Sequence, residues 1–288
     1  MNQNLKISGH SGFKVELFSE GNKSFIQKSS SVSTQNNRLK LQIDKQKLYT
    51  GNSDIIVPKI IESKENKLYS YKMEYFNCYD FVEFLNQTST KEIEIYVNIL
   101  IEFINNNIQK SEYQIILPNI IIDKYDLVKS NINLQSNIPY YIKNKILSYT
   151  DNYFELFEDK CIKGMYLPVG FCHGDLTLSN ILFHVKSKKL VFIDFLDSFI
   201  ETPLNDIVKL RQDTKFLWSL CLYKGIIDKV KMKIAMNHLD KKITQCFIQH
   251  DFFNNWYSTF ELLNLLRVLQ YAKDRKIIKH LELCILKD

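Results

Sequence analysis

The hydrophobic positions of this chain change their period once. From Leu5 to about Tyr75 apolar residues fall in short runs that alternate with polar ones, the two-residue period of strands with one buried face. Leu5–Ser8, Lys14–Phe18 and Lys23–Lys28 read as strands, parted by Gly9–Gly12 and by Glu20-Gly21-Asn22, which has hairpin chemistry. Ile55–Ile61 and Lys67–Tyr75 read as two more. Before these two, Asn37–Tyr49 carries Leu39, Ile43 and Gln46 at helical spacing, and Gly51-Asn52 follows where a helix C-terminal cap belongs. Residues 1–76 are therefore expected to form a five-stranded sheet with one helix.

From Tyr79 onward the apolar positions recur every three to four residues. Asp80–Asn86, Lys91–Ile108, Pro139–Cys161, Asp206–Tyr223, Ile226–Ile248 and Asn254–Lys273 read as amphipathic helices. One compact β pair interrupts them, Ile181–His184 and Leu190–Asp194, joined by a Lys-Ser-Lys-Lys turn. Strands first and helices later, without βαβ alternation, predict an α+β fold class and not a doubly wound sheet. The expected division is residues 1–76, small and β-rich, and residues 77–288, larger and mostly helical.

Candidate chemistry is concentrated around that β pair. Phe171-Cys172-His173-Gly174-Asp175 leads to Asn180 five residues later, and Leu190-Val191-Phe192-Ile193-Asp194-Phe195 ends in a second aspartate. An aspartate, an asparagine and a second aspartate in this order form the base-and-metal set of kinase-type phosphoryl transfer. Asp175 would reach the attacking hydroxyl. Asn180 would turn back from a short loop to a metal on the phosphates, and the hairpin would deliver Asp194 to the same metal. One carboxylate and one carboxamide oxygen, with phosphate and water, suit Mg2+. A lone Asp-x4-Asn is commonplace in loops; the full pattern with His-Gly-Asp and Ile-Asp-Phe is what points to catalysis. A histidine at position 173 more often braces backbone than moves protons.

Composition narrows the setting. Apolar residues are 45% and charged residues 24% of the chain, which excludes disorder as its main state. The net charge of +6 is spread along the sequence instead of forming an Arg-rich, aromatic-interleaved stripe, so nucleic acid is not an expected partner. The six cysteines include no CxxC pair, Met1–Lys14 has no apolar signal core, and the apolar run Ile115–Ile122 is too short to span a bilayer. A cytoplasmic protein with reduced thiols and no membrane insertion is expected.

The segment Asp175–Asn180 with Ile193-Asp194-Phe195 resembles the aminoglycoside phosphotransferase and choline kinase family, small-molecule relatives of the protein kinases. The motifs span Val169–Asp206, and the order of elements fits from Leu5 onward. The resemblance implies a protein-kinase-like two-lobed fold, with nucleotide bound by residues 1–76 and with catalytic loop, metal and acceptor sites in residues 77–288. It implies ATP as donor, GTP being left open, and Mg2+ as cofactor. By position Asp175 matches the family's catalytic base, Asn180 and Asp194 its metal ligands, and Lys28 its phosphate-binding lysine. Lys72–Phe76, with Glu74 and Phe76, matches the hinge whose backbone holds the purine. Gly9 and Gly12 lie where a phosphate-covering turn would sit, although an ordinary hairpin turn explains them too. The family's acidic partner for the lysine has no clear counterpart; Gln42, Asp44 and Gln46 are the candidates. The matching Asp206 would brace the catalytic loop or start a helix, and Asp197 is a turn residue or an extra contact.

Only eight residues separate Asp194 from Pro203, with no Ala-Pro-Glu, so a peptide-ordering activation segment has no room. A small acceptor is expected, a sugar or an amino alcohol, with Asp213, Trp218, Trp256, Tyr257 and Arg267 as candidate contacts. Aromatic residues, 13% of the chain, would suit a cage for a quaternary ammonium, but Phe252, Phe253 and Phe260 fit a core equally. Two other readings are a pseudokinase scaffold and a protein kinase; oligomeric state and pathway stay open.

Overall fold

A computed structural model describes residues 5–7, 12–21, 23–49 and 51–287. By internal packing the chain forms two units: Met1–Thr88 with Leu178–Asp197, and Ser89–Thr177 with Ser198–Asp288.

The first unit begins with β1 (Leu5–Ile7), β2 (Lys14–Glu20) and β3 (Lys23–Ser29), then α1 (Asn36–Leu48). β4 (Ile55–Ile56), β5 (Ile60–Glu65), β6 (Tyr69–Glu74) and β7 (Cys78–Asp80) follow, before α2 (Phe81–Gln87). Five of these strands form an antiparallel sheet in the order β1-β2-β3-β6-β5. Leu39 and Ile43 of α1 are buried to 0% and 1% exposure and pack with Phe13, Ile26, Tyr69, Tyr71 and Met73 as one core. Burial of that apolar stripe, and not helix propensity, holds α1 in place.

One strand expected over Ile55–Ile61 proves to be two. Pro58 cannot donate to a ladder, and the chain changes sheets there. Upstream, Asn52 Oδ1 accepts the N–H groups of Asp54 and Ile55 at 2.8 Å, and Gly51 takes φ +86°. A Cβ on Gly51 would lie 2.4 Å from the Ile55 carbonyl oxygen, so this turn needs glycine.

The second unit opens with α3 (Thr90–Lys110), started by a Ser89/Glu92 capping box. β8 (Glu112–Ile116), α4 (Asn119–Leu134), α5 (Tyr140–Lys160) and β9 (Met165–Val169) follow, β8 and β9 pairing antiparallel. β8, β9 and α4 lie beyond the sequence expectations. Ile121, Tyr125, Val128 and Ile132 of α4 do have helical spacing, but Pro118 and the surrounding isoleucines obscure it.

The chain then returns to the first unit. A 3₁₀ turn (Leu178–Asn180) leads into β10 (Ile181–His184) and β11 (Lys189–Phe192), as expected for the β pair. Its edges are taken by β4, parallel to β11, and by β7, antiparallel to β10, giving the order β4-β11-β10-β7.

The last stretch belongs to the second unit: α6 (Pro203–Thr214), α7 (Trp218–Leu222), α8 (Lys229–Phe247), α9 (Asp251–Leu269) and α10 (Arg275–Leu286). The single helix expected over Asp206–Tyr223 is broken by Leu217, at φ +57°, and Asp213 accepts the Ser219 N–H at 2.6 Å to start α7. α10 also lies beyond the sequence expectations, although Asp274 caps it and Ile278, Leu281 and Ile285 supply its buried face. No helix among the described residues is long and apolar enough to cross a membrane. The fold is α+β, with a sheet-bearing N-terminal region and a helical C-terminal region.

Candidate active site

In the first unit the alternation of β3 puts Ile26 and Lys28 on the face covered by α1, so Lys28 is only 1% exposed. Burying an ammonium costs several kcal/mol unless it is paired. Lys28 Nζ donates to Asp194 Oδ1 at 2.8 Å and to Gln42 Oε1 at 3.2 Å, and it lies 4.9 Å from the centre of the Phe13 ring. Gln42 is therefore the helix partner of this lysine. Gln46 instead donates to the Pro58 carbonyl, and Asp44 is exposed. A carboxamide holds Lys28 by one hydrogen bond, without the charge an acid would bring.

Asp194 follows β11 in the left-handed region, at φ +61°, a conformation that costs a non-glycine residue about 1 kcal/mol. Its carboxylate keeps 29% exposure. Asn180 ends the turn before β10, and its carbonyl accepts the Ile193 N–H at 3.1 Å, stitching together the residues that enter and leave the hairpin. Opposite Lys28 in the ladder stands Tyr71, whose hydroxyl is pushed well above the usual phenol range by burial and, secondarily, by the Asp194 charge.

Sequence reasoning does not reach Lys45, which is buried and donates from Nζ to the Leu196 carbonyl at 2.6 Å, fixing the segment just after Asp194. Its signal is the helical offset: Lys45 stands one turn after Gln42 on α1.

Gly9 lies outside the described residues. Gly12 takes φ +76°, and its carbonyl accepts from the Ser31 hydroxyl at 2.9 Å. Glu74 bonds Lys59 twice, through its own N–H and its carboxylate, and Phe76 meets the His184 ring edge-on at 5.5 Å. Among the described residues no side-chain bond joins Gly12, Glu74 or Phe76 to Lys28 or Asp194.

In the second unit α6 organises the loop that carries Asp175. Asp206, fully buried, accepts the His173 N–H at 2.7 Å and the Gly174 N–H at 2.8 Å, while Thr202 caps the helix. Asp206 thus braces the loop and does not start the helix. Gly174 takes φ +82°, which turns the chain between the two bonded residues. His173 Nδ1 accepts the Asp175 N–H at 3.3 Å, the backbone-bracing duty expected of it. The Asp175 carboxylate, 29% exposed, pairs with Lys209 Nζ at 3.0 Å. Lys209 lies one turn beyond Asp206 on α6, a spacing visible in the sequence once the role of Asp206 is recognised.

The candidate acceptor contacts are largely committed elsewhere. Asp213 caps α7, Tyr257 is core and donates to Glu261, Trp256 packs against Phe157, and the Arg267 guanidinium lies over the Phe199 ring.

The fold is that of the protein-kinase-like phosphotransferases. Residues 140–220 match the family model described as phosphotransferase enzyme family, so the resemblance read from Asp175, Asn180 and Asp194 stands. A sequence comparison with curated proteins finds no significant match. Among solved structures, a thermostable mutant of aminoglycoside phosphotransferase APH(4)-Ia is similar with TM-score 0.65 at 9% identity, over 99% of this chain and 94% of that one. A glucosamine kinase, in complex with glucosamine, ADP and inorganic phosphate, is similar with TM-score 0.58 at 8% identity, over 99% and 75%. The Plasmodium vivax ethanolamine kinase is similar with TM-score 0.58 at 15% identity, over 99% and 81%. At such identities the likeness is one of fold.

Proposed function

We propose that this protein is a cytoplasmic, magnesium-dependent small-molecule kinase that transfers the γ-phosphate of ATP to a hydroxyl of a metabolite, a sugar or an amino alcohol. The observation that carries the reading is the Lys28–Asp194 ion pair, formed by residues 166 apart in the chain. A buried lysine on a central strand beside an aspartate that closes a hairpin is the arrangement phosphate and its metal require.

The donor set fits Mg2+: Asp194 offers a carboxylate, Asn180 a carboxamide, and both are hard oxygen ligands. Magnesium so held would neutralise charge on those phosphates. Lys28 binds phosphate oxygens through its ammonium. Asp175 orients the acceptor hydroxyl and takes its proton as the hydroxyl oxygen bonds to the γ-phosphorus and the bond to ADP breaks. Asp206 and His173 keep the Asp175 backbone fixed, so the carboxylate needs no reorganisation. Residues 1–76 carry the nucleotide functions, with Gly9 and Gly12 over the phosphates and the backbone of Glu74 and Phe76 at the base.

Asp175→Asn tests this directly. Transfer to a panel of sugars, amino alcohols and aminoglycosides should fall by roughly 10²–10⁴-fold in kcat, with nucleotide affinity little changed. Transfer within a few-fold of the unaltered protein would remove Asp175 from the mechanism.

One observation favours a pseudokinase as second reading: Lys28 is held by Gln42, where the family places an acid. Magnesium-dependent ATP binding without turnover, over the same panel, would select it.

A further inference from the structure

The base and its surroundings carry a statement about acceptor charge. Lys209 Nζ sits 3.0 Å from Asp175 and 3.5 Å from Gln212 Oε1, and Gln212 is itself fixed by Asn264 at 2.8 Å. The side chain is only 13% exposed, so this cation is built into the unit and not a passing surface contact. An ammonium has three N–H donors, and two are directed at these partners.

The carboxylates that a cationic acceptor would need are already committed. Asp240 takes a bidentate bond from Arg211 at 2.9 and 3.0 Å, and Glu261 takes Lys215 at 2.7 and 2.8 Å. Asp213 and Asp206 accept backbone N–H groups. On α6, α8 and α9 only Asp251 is an exposed acid.

We propose that Lys209 is the acceptor-binding cation of this unit, holding Asp175 and donating its remaining N–H to an oxygen next to the reacting hydroxyl. The site therefore selects acceptors with a neutral or anionic oxygen there and disfavours those with an ammonium. This rests on the kinase reading and narrows it, setting amino alcohols aside in favour of sugars and other uncharged or anionic acceptors. An incoming ammonium would be repelled by Lys209 and would find no uncommitted buried carboxylate on α6, α8 or α9 in compensation, whereas a hydroxyl or carboxylate gains a charge-assisted bond.

Two matched series test it: glucose, glucuronate and glucosamine, and ethylene glycol, glycolate and ethanolamine. For each, kcat and KM are measured, together with calorimetric binding in the presence of Mg2+ and AMP-PNP. The unaltered protein should prefer the oxygen-bearing members by about tenfold or more in kcat/KM and in affinity, the scale of one charged contact. Lys209→Met should bring that ratio close to one, mainly through KM, and Lys209→Arg should retain it. Thermal melts of both variants check folding, and the ratio in the unaltered protein stands whatever the variants do. Preference for the amino members in both series, an unchanged ratio in Lys209→Met, or binding of none of the six would overturn the proposal. Selective binding without phosphate transfer would instead overturn the kinase reading and leave the charge preference standing.

Discussion

Lys28 and Asp194 depend on each other unequally. The lysine is sealed, with 1% of its side chain exposed, while the aspartate keeps 29%. Removing the aspartate leaves a buried ammonium with the neutral Gln42 and the Phe13 ring, a loss that costs about 3 kcal/mol for a pair of this kind. Asp194→Ala should therefore weaken magnesium-dependent nucleotide binding and also lower the melting temperature. Asn180→Ala should weaken the same binding less, since it removes a neutral ligand. Nucleotide titrations with and without magnesium, paired with thermal melts, separate the two effects. If both variants bind Mg-nucleotide normally, neither residue is a ligand. Asn180 and Asp194 were legible as candidates because residue type and spacing carry them, and Lys28 because its place on the third strand matches the lysine of the resembled family. Gln42 could not be chosen over Gln46 by sequence, since both lie on the buried face of α1 and only the reach of Lys28 separates them.

At the scale of elements, α6 holds the loop that carries Asp175. Its residues are buried almost without exception, polar ones included, because it packs against α8 and α9 while holding the Asp175 loop. Asp206 satisfies two buried N–H groups at once. Asp206→Ala strands both, and with charge-assisted bonds worth about 1.5–3 kcal/mol each, the cost should be at least 3 kcal/mol. Thermal denaturation should show a fall of roughly 6–12 °C, at about 2–4 °C per kcal/mol for a chain of this size. An unchanged melting temperature would mean that the loop does not rely on this brace. The helix itself was visible from its apolar period and from Thr202-Pro203 at its start. Its end was not, because Leu217 enters the left-handed region to let Asp213 cap α7, which no period reveals. Short pieces such as β7 and β8 escaped for a related reason: three to five residues are too few to establish a period, and their pairing partners lie far along the chain.

For the whole chain, the short path from Asp194 to Pro203 is the feature on which the proposed class of acceptor rests. A peptide needs a surface built by a long ordered segment, and eight residues cannot supply it. On the proposed function, labelled nucleotide should yield phosphorylated metabolites, with proteins of a cell extract and the protein itself largely unlabelled. Efficient protein labelling with no small-molecule product at matched concentrations would reverse this expectation.

The sequence by itself determined the change of period from strands to helices, the hairpin that carries Asn180 and Asp194, and the identity of the acids, because these are local properties of spacing and side-chain chemistry. Tertiary structure alone decided which partners they take. Lys28 meets Gln42 and Asp194, and Lys209 meets Asp175, across separations that no local pattern encodes. The hairpin's membership of the first unit was likewise decided by packing, through pairing with β4 and β7. Charge pairing and sheet edges act between segments remote in the chain, so their outcome is set only when the core that brings those segments together has formed.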